Sequence, residues 1–339
     1  QHKHAEKFMF LNNQDKIRQM KNISRIYLRL PNWIGDVCMS LPSLYAVMNT
    51  GCEVIVCAKP WAESLLKGIV GIQILSLSGQ WHEDRKIIKL HKKNNPAKGK
   101  SVGLLLPDSL TSALTFRLAG LSSAGYKDDG RSLLLKWSFD KPSKNLHAVE
   151  SWYHLTHCAL HKWHFKSATV PETTLILPLT ASDTQKADSL LKEHQLNAGK
   201  FILIAPTATG KHKGKDKVWP RFGEYTRNMQ AQGYTVVMCP PPNEREAAFK
   251  NAPAALCLPA IGLGVFVALI SKAALVVCND SGVSHLASLT RTPQITLIGV
   301  TDPKRTGPWS QTAHICGSMD NWPELDTVIK LSISLLNPS

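Results

Sequence analysis

What the chain lacks narrows its function first. No apolar run in the 339 residues approaches the roughly 20 residues that a membrane-crossing helix needs. The opening stretch is polar and charged, unlike a secretory signal. There is no Cys-x-x-Cys. The eight cysteines, Cys38, Cys52, Cys57, Cys158, Cys239, Cys257, Cys278 and Cys316, are scattered, which speaks against a structural zinc site. Several sit in apolar runs such as Val276-Val277-Cys278, the setting of buried free thiols in a cytosolic protein. No Gly-x-Gly-x-x-Gly follows the first strand pattern, which counts against a dinucleotide dehydrogenase, and no Gly-x-x-x-x-Gly-Lys-Ser/Thr marks a P-loop ATPase. No Asp-x-Asp occurs, so a metal-bound diphosphate has no evident carboxylate ligands. Neither a zinc finger nor an aromatic RNA-binding sheet signature is present.

Negative charge is scarce as well. Lys and Arg number 40 against 25 Asp and Glu, a net charge of +15. Such a balance calls for an anionic partner: nucleic acid, an anionic membrane surface or a polyanionic substrate. The charge is partly focused. Arg85, Lys86, Lys89, Lys92, Lys93, Lys98 and Lys100 share one stretch with no acid between them. Lys211, Lys213, Lys215 and Lys217 form a second cluster. The plain reading of each is a solvated basic loop; the 85–100 stretch reads equally as a solvated face or as an acceptor or membrane contact.

What is present is a repeating strand–turn–helix pattern, with 43% hydrophobic residues, enough for about two domains. Residues 1–19, before Met20, read as a tag or an extension. Ser24–Leu30 alternates as a first strand; Val37–Met48 reads as one helix with Pro42 near its first turn. Strands follow at Glu53–Ala58, Gln73–Leu77 and Ser101–Leu106, then a helix over Ser112–Ala119. His147–His161 is an aromatic-rich helix; Trp152, Tyr153 and Trp163 read as packing. After a crossing segment at Pro171–Pro178 a second series begins, with strands at Phe201–Ala205, Tyr234–Met238, Ala273–Cys278 and Gln294–Gly299. A helix opened by Trp219-Pro220 runs to Met229, and a terminal one covers Trp322–Leu336. This predicts an α/β protein of two Rossmann-like, doubly wound parallel-sheet domains, 20–178 and 179–339, facing a cleft that holds the ligand.

The most informative turn is Asn279-Asp280-Ser281-Gly282-Val283-Ser284-His285, between a buried apolar strand and a helix. In open α/β sheets ligands bind at the carboxyl ends of strands, and free N–H groups at a helix start suit phosphate. A bare helix N-cap explains the same residues without a ligand. Thr207 and Lys217 come from another strand-end loop and would add a hydroxyl and an ammonium to a diphosphate. Asp36, at the start of the first helix, suits a general base that activates an acceptor hydroxyl; its alternative role is again an N-cap. His285 reads as a buried helix histidine rather than an acid or base.

Taken in order, Leu30-Pro31-Asn32-Trp33-Ile34-Gly35-Asp36-Val37, Leu106-Pro107-Asp108-Ser109 with Ser112-Ala113-Leu114, Lys217-Val218-Trp219-Pro220, the 279–285 turn and Thr301-Asp302-Pro303-Lys304-Arg305-Thr306-Gly307-Pro308-Trp309 resemble the ADP-heptose–lipopolysaccharide heptosyltransferases, a glycosyltransferase family of GT-B fold. The resemblance spans residues 22–335 and leans toward heptosyltransferase II. It implies an inverting, metal-independent transfer from ADP-heptose to a heptosyl-Kdo2-lipid A acceptor. The enzyme would be a monomer, peripheral at the cytoplasmic face of a Gram-negative inner membrane, without nucleic acid. By the same resemblance Asp36 is the catalytic base and Lys217 serves the donor phosphates. Thr207, Ser281 and Gly282 contact phosphate, Asp280 the donor heptose and Glu244 the ribose. Arg85, Lys86 and Lys89 are acceptor-binding candidates. The loop from Gly210 to Lys215 is longer and more basic than the family pattern, which leaves Lys215 as an alternative to Lys217. Ser122-Ser123-Ala124 stands where the family commonly has basic residues in a loop. The competing readings are heptosyltransferase I, a GT-B transferase with another nucleotide sugar, and a basic nucleotide- or nucleic-acid-binding protein without catalysis.

Overall fold

The structure, a computed structural model, describes residues 22–337 except 129, 144, 210 and 213, with only the backbone at 211 and 212. The extension expected over 1–19 lies outside the described residues. By internal contacts the chain divides into two compact units. Over the described residues the first comprises 22–32, Ser40–Glu63 and Val70–Pro171; the second comprises Trp33–Met39, Ser64–Ile69 and 172–337. The main break falls inside the predicted crossing segment, and two short stretches of the N-terminal half pack with the second unit.

The N-terminal half runs β1 (Ile23–Arg29), α1 (Ile34–Met39), α2 (Leu41–Met48), β2 (Glu53–Ala58), α3 (Trp61–Leu66), β3 (Ile72–Ser76), α4 (Trp81–Asn94), β4 (Lys100–Leu105), α5 (Leu110–Leu118), β5 (Ser122–Tyr126), β6 (Trp137–Phe139) and α6 (Ala148–Lys162). Its six strands lie in the order β3-β2-β1-β4-β5-β6, all paired parallel. Parallel strands are covered on both faces, so they are apolar throughout; β2 buries every residue after Glu53. Tyr27, Ile55, Leu105, Phe116 and Ile88 form one core cluster beneath α4 and α5.

The C-terminal half runs α7 (Ala181–Glu193), β7 (Phe201–Ala205), a hairpin of β8 (Lys211–His212) and β9 (Lys215–Asp216), α8 (Phe222–Ala231), β10 (Thr235–Met238), α9 (Arg245–Asn251), β11 (Leu256–Cys257), α10 (Leu263–Ser271), β12 (Leu275–Asn279), α11 (Gly282–Ala287), β13 (Gln294–Ile298), α12 (Pro303–Thr306), β14 (Ala313–Gly317) and α13 (Leu325–Leu336). Its sheet, β11-β10-β7-β12-β13-β14, is again all parallel. Numbered within each half, both sheets read 3-2-1-4-5-6, the order of dinucleotide-binding folds.

Several local expectations are corrected. The single helix expected over 37–48 is two helices, because Pro42 lies in the first turn of a new helix whose N-cap is Ser40; proline has no N–H to continue the preceding one. Ser122-Ser123-Ala124 is strand rather than loop, and Ser123 and Ala124 are buried. The helix after Trp219-Pro220 begins at Phe222, and the terminal helix at Leu325. Tyr153 and Trp163 are buried, and Trp163 packs edge-on against Trp137. All eight cysteines are free, four of them buried. Among the described residues no helix is long and apolar enough to cross a membrane.

Candidate active site

In the C-terminal sheet the order reverses between β7 and β12, which pair directly. Connections leave these two strands in opposite directions, so a crevice opens past their carboxyl ends. A cavity of about 200 Å³ lies there. Its walls are largely apolar: Pro206 after β7, Pro240 and Pro241 after β10, Leu263 and Phe266 of α10, and Ile34 of α1. Its polar groups are few, with Thr207, Glu244, Ser281 and Gly282 all on the lining. The Thr207 hydroxyl donates to the Glu244 carboxylate, which joins the β7 and β10 loops across the cavity. Ser281 caps α11, its hydroxyl accepting from the Val283 N–H.

Asn279, the last residue of β12, is fully buried and holds these loops in register. Its Oδ1 accepts from the Trp219 N–H at 2.9 Å. Its Nδ2 donates to the Thr207 carbonyl at 3.1 Å and to Ala205 at 3.3 Å. One amide therefore satisfies three backbone groups from two segments, the end of β7 with its loop and the chain at Trp219. Lys217 is half-buried two residues before Trp219 and off the cavity lining. Lys215, the alternative to it, pairs with Asp320 at 2.9 Å on the surface. Gly210 and Lys213 of the same loop lie outside the described residues. Asp280 is half-buried between Asn279 and the cap, its N–H donating to Leu297 at 3.3 Å.

Asp36 belongs to the same unit. It is the third residue of α1, in its first turn, so it is not an N-cap. α1 lies tightly on α11: a Cβ on Gly35 would sit 2.5 Å from the His285 ring, and one on Gly282 would sit 3.5 Å from Ile34. Glycine at 35 is thus what permits the approach. His285 is buried at that contact. Burial pushes the Asp36 carboxyl above its ordinary pKa, because desolvation disfavours the anion. Among the described residues no three His, Cys, Asp or Glu side chains are grouped to hold a metal ion.

The family model for glycosyltransferase family 9 (heptosyltransferase) matches residues 97–333. The chain belongs to glycosyltransferase family 9. The lipooligosaccharide heptosyltransferase 2 of Haemophilus influenzae is 26% identical over 307 residues, covering 84% of this chain and 86% of that protein. Among solved structures, E. coli ADP-heptose lps heptosyltransferase II superimposes with a TM-score of 0.74 at 20% identity, over 92% of this chain and 98% of the other. The E. coli heptosyltransferase WaaC with ADP gives 0.71 at 18% identity, over 92% and 99%. The chain is therefore a glycosyltransferase of α/β, GT-B architecture, with two parallel-sheet domains.

In this family 9 chain none of the acceptor candidates is on the lining of the cavity just described. Arg85, Lys86 and Lys89 are on α4 of the first unit; Arg85 is half-buried and the two lysines are exposed. A second, polar pocket of about 100 Å³ occupies the switch point of that unit's own sheet, beside the ends of β1 and β4. Arg29, Asp84 and Ser109 line it; Arg85, Lys86 and Lys89 do not. Asp84 is spent on structure: its carboxylate accepts from the Ser78 N–H at 2.7 Å, the Ser78 hydroxyl at 2.9 Å and the Gly79 N–H at 3.1 Å. Sequence reasoning missed the apolar walls of the C-terminal cavity and the clamp at Asn279. The prolines after β10 were the available signal, since a Pro-Pro-Pro run at the end of a buried strand has to be a strand-end loop.

Proposed function

We propose that this glycosyltransferase moves L-glycero-D-manno-heptose from ADP-heptose to a heptosyl-Kdo2-lipid A acceptor, in the manner of heptosyltransferase II, at the cytoplasmic face of an inner membrane. The observation that carries the reading is the convergence of Thr207, Glu244, Ser281 and Gly282 on one cavity at the switch point, with the Asp36 helix packed on α11 beside it. The heptosyltransferase 2 names of relatives matched over 84% of the chain support the donor sugar and acceptor. A related structure solved with ADP supports the nucleotide.

In this scheme the apolar walls take the base, Glu244 a ribose hydroxyl, and Thr207 with the Ser281 and Gly282 backbone N–H groups the diphosphate. Asp280 holds heptose hydroxyls. Asp36 removes the proton from the acceptor hydroxyl as its oxygen attacks the anomeric carbon. The bond from that carbon to the diphosphate oxygen breaks on the opposite face, inverting the centre and releasing ADP. Lys217 and the oriented N–H groups meet the charge that grows on the leaving diphosphate. Donors of this kind are each worth roughly 3–4 kcal/mol of barrier. No metal takes part in the scheme, and Arg85, Lys86 and Lys89 meet acceptor anions.

The test is calorimetric binding of ADP and ADP-heptose with and without EDTA, followed by transfer assays of wild type and Asp36→Asn. Chelator-insensitive ADP binding is expected in both proteins, with transfer reduced about 10²- to 10⁴-fold in the variant. Undiminished transfer would remove Asp36 from the mechanism. Absent ADP binding would redirect the search to another nucleotide sugar.

A further inference from the structure

Among the described residues thirteen large apolar side chains are exposed. Five of them, Trp81, Leu90, Leu110, Leu118 and Leu133, lie on α4, α5 and the short turn Arg131–Leu133 that packs against α5. The two helices lie side by side and point the same way. Trp81 at the start of α4 and Thr111 at the start of α5 line one pocket. At the other end the Lys92 ammonium donates to Ala119 and Gly120, just past α5, at 3.1 and 2.7 Å.

Helical spacing sorts their faces. Asp84, Ile88 and His91 of α4, and Ala113 and Phe116 of α5, are buried. The opposite face of α4 carries Lys86, Lys89, Leu90 and Lys93, at i, i+3, i+4 and i+7, all exposed. That of α5 carries Leu110, Arg117 and Leu118, also exposed, with Leu114 half-buried between them. Four cations on these faces are opposed by one exposed carboxylate, Glu83 in the first turn of α4. An ordinary solvated helix face carries the cations without the leucines. An ordinary protein-binding patch carries the leucines with few lysines, because lysine is depleted there.

We propose that the paired outer faces of α4 and α5 dock this enzyme on an anionic lipid bilayer. The ammonium and guanidinium groups would take headgroup phosphates, while Leu90, Leu110 and Leu118 enter the boundary between headgroups and acyl chains. Interleaved cations and large apolar side chains on a helix face are the chemistry of surface-lying membrane contacts. The face deepens the reading above, in which a lipid-borne acceptor is met at a membrane. It also places Lys86 and Lys89, the acceptor candidates, on the side turned to that acceptor.

Flotation of the full chain with vesicles tests this without donor or acceptor, so it can fail while transfer from ADP-heptose stands, and the reverse. Vesicles rich in phosphatidylglycerol should carry the protein up, and phosphatidylcholine vesicles should not. High salt should release it, since exposed charges are screened. Lys93→Glu with Arg117→Glu, and separately Leu90→Ser with Leu118→Ser, should each weaken partition by at least about tenfold. Both variants should keep ADP affinity and transfer to a delipidated, water-soluble acceptor. Lys186→Glu with Lys192→Glu on α7 reports the effect of net charge alone, and should leave most of the binding intact. Three outcomes would overturn the proposal: undiminished flotation of the Lys93/Arg117 variant, equal loss in the α7 control, or a dimer in light scattering that the Leu90/Leu118 change dissolves with no vesicle binding.

Discussion

At the scale of single residues, the half-buried carboxyl of Asp36 and the buried amide of Asn279 separate function from stability. The Asp36 carboxyl has a folded pKa raised by burial, so the folded chain holds that proton more tightly than the unfolded one. Its contribution to stability is fully present below the unfolded pKa and is lost as pH rises through the folded value. Asp36→Asn, which cannot ionise, should therefore melt higher than wild type at neutral pH. The gain should vanish in acid below the ordinary carboxyl pKa; scanning calorimetry across pH reads both limbs. The transfer rate should fall on the acid side with an apparent pKa above the usual carboxylate value, because the base must be ionised to act. Asn279 behaves oppositely. Asn279→Ala strips partners from the Trp219 N–H and the Thr207 carbonyl, each at about 1–3 kcal/mol. Urea denaturation should show the loss, and ADP affinity should fall with it, since Thr207 is no longer fixed.

At the scale of elements, the decisive contact is α1 on α11. A methyl group at position 35 would meet the His285 ring at 2.5 Å, closer than any carbon contact tolerates, and His285 is buried. Gly35→Ala should push α1 outward and take Asp36 with it. A displacement of about 1 Å costs a reacting group roughly 10²-fold in rate, while overpacking of this kind costs about 1–3 kcal/mol in stability. The expected pattern is a large fall in turnover with ADP binding retained, read from steady-state kinetics beside calorimetry. Loss of turnover equal to the loss of folded protein would make Gly35 a purely structural residue.

At the scale of the whole molecule, both sheets share one strand order, and each has a pocket at its own point of reversal. The larger, mostly apolar one sits in the C-terminal sheet, where the nucleotide is proposed to bind. ADP at a hundred times its Kd should add about 2.7 kcal/mol of apparent stability, measurable as a rise in Tm. Thr207→Val, which removes the hydroxyl joined to Glu244, should shrink that rise. Unchanged melting with saturating ADP would locate the nucleotide elsewhere.

Sequence alone determined the α/β class, most strand positions and the polar turns at the strand ends. Strands buried on both faces must be apolar throughout, and strand-end turns must be polar, so both are written locally in the order of residues. The family motifs are legible for the same reason: Asp36, Lys217 and the Asp280-Ser281-Gly282 turn are short, contiguous signals. Local rules failed where a neighbouring segment decided the outcome. Pro42 marked a helix start that period alone did not reveal. Ser122–Ala124 became a strand because β4 on one side and β6 on the other give it partners, although its small polar residues have low strand preference. Only the tertiary structure united Thr207 with Glu244, 37 residues apart, and closed the Asn279 clamp onto Trp219, 60 residues away. It likewise set the leucines of α4 and α5 on one outer surface. Such contacts depend on which strands end up side by side, and no local spacing in the chain encodes that.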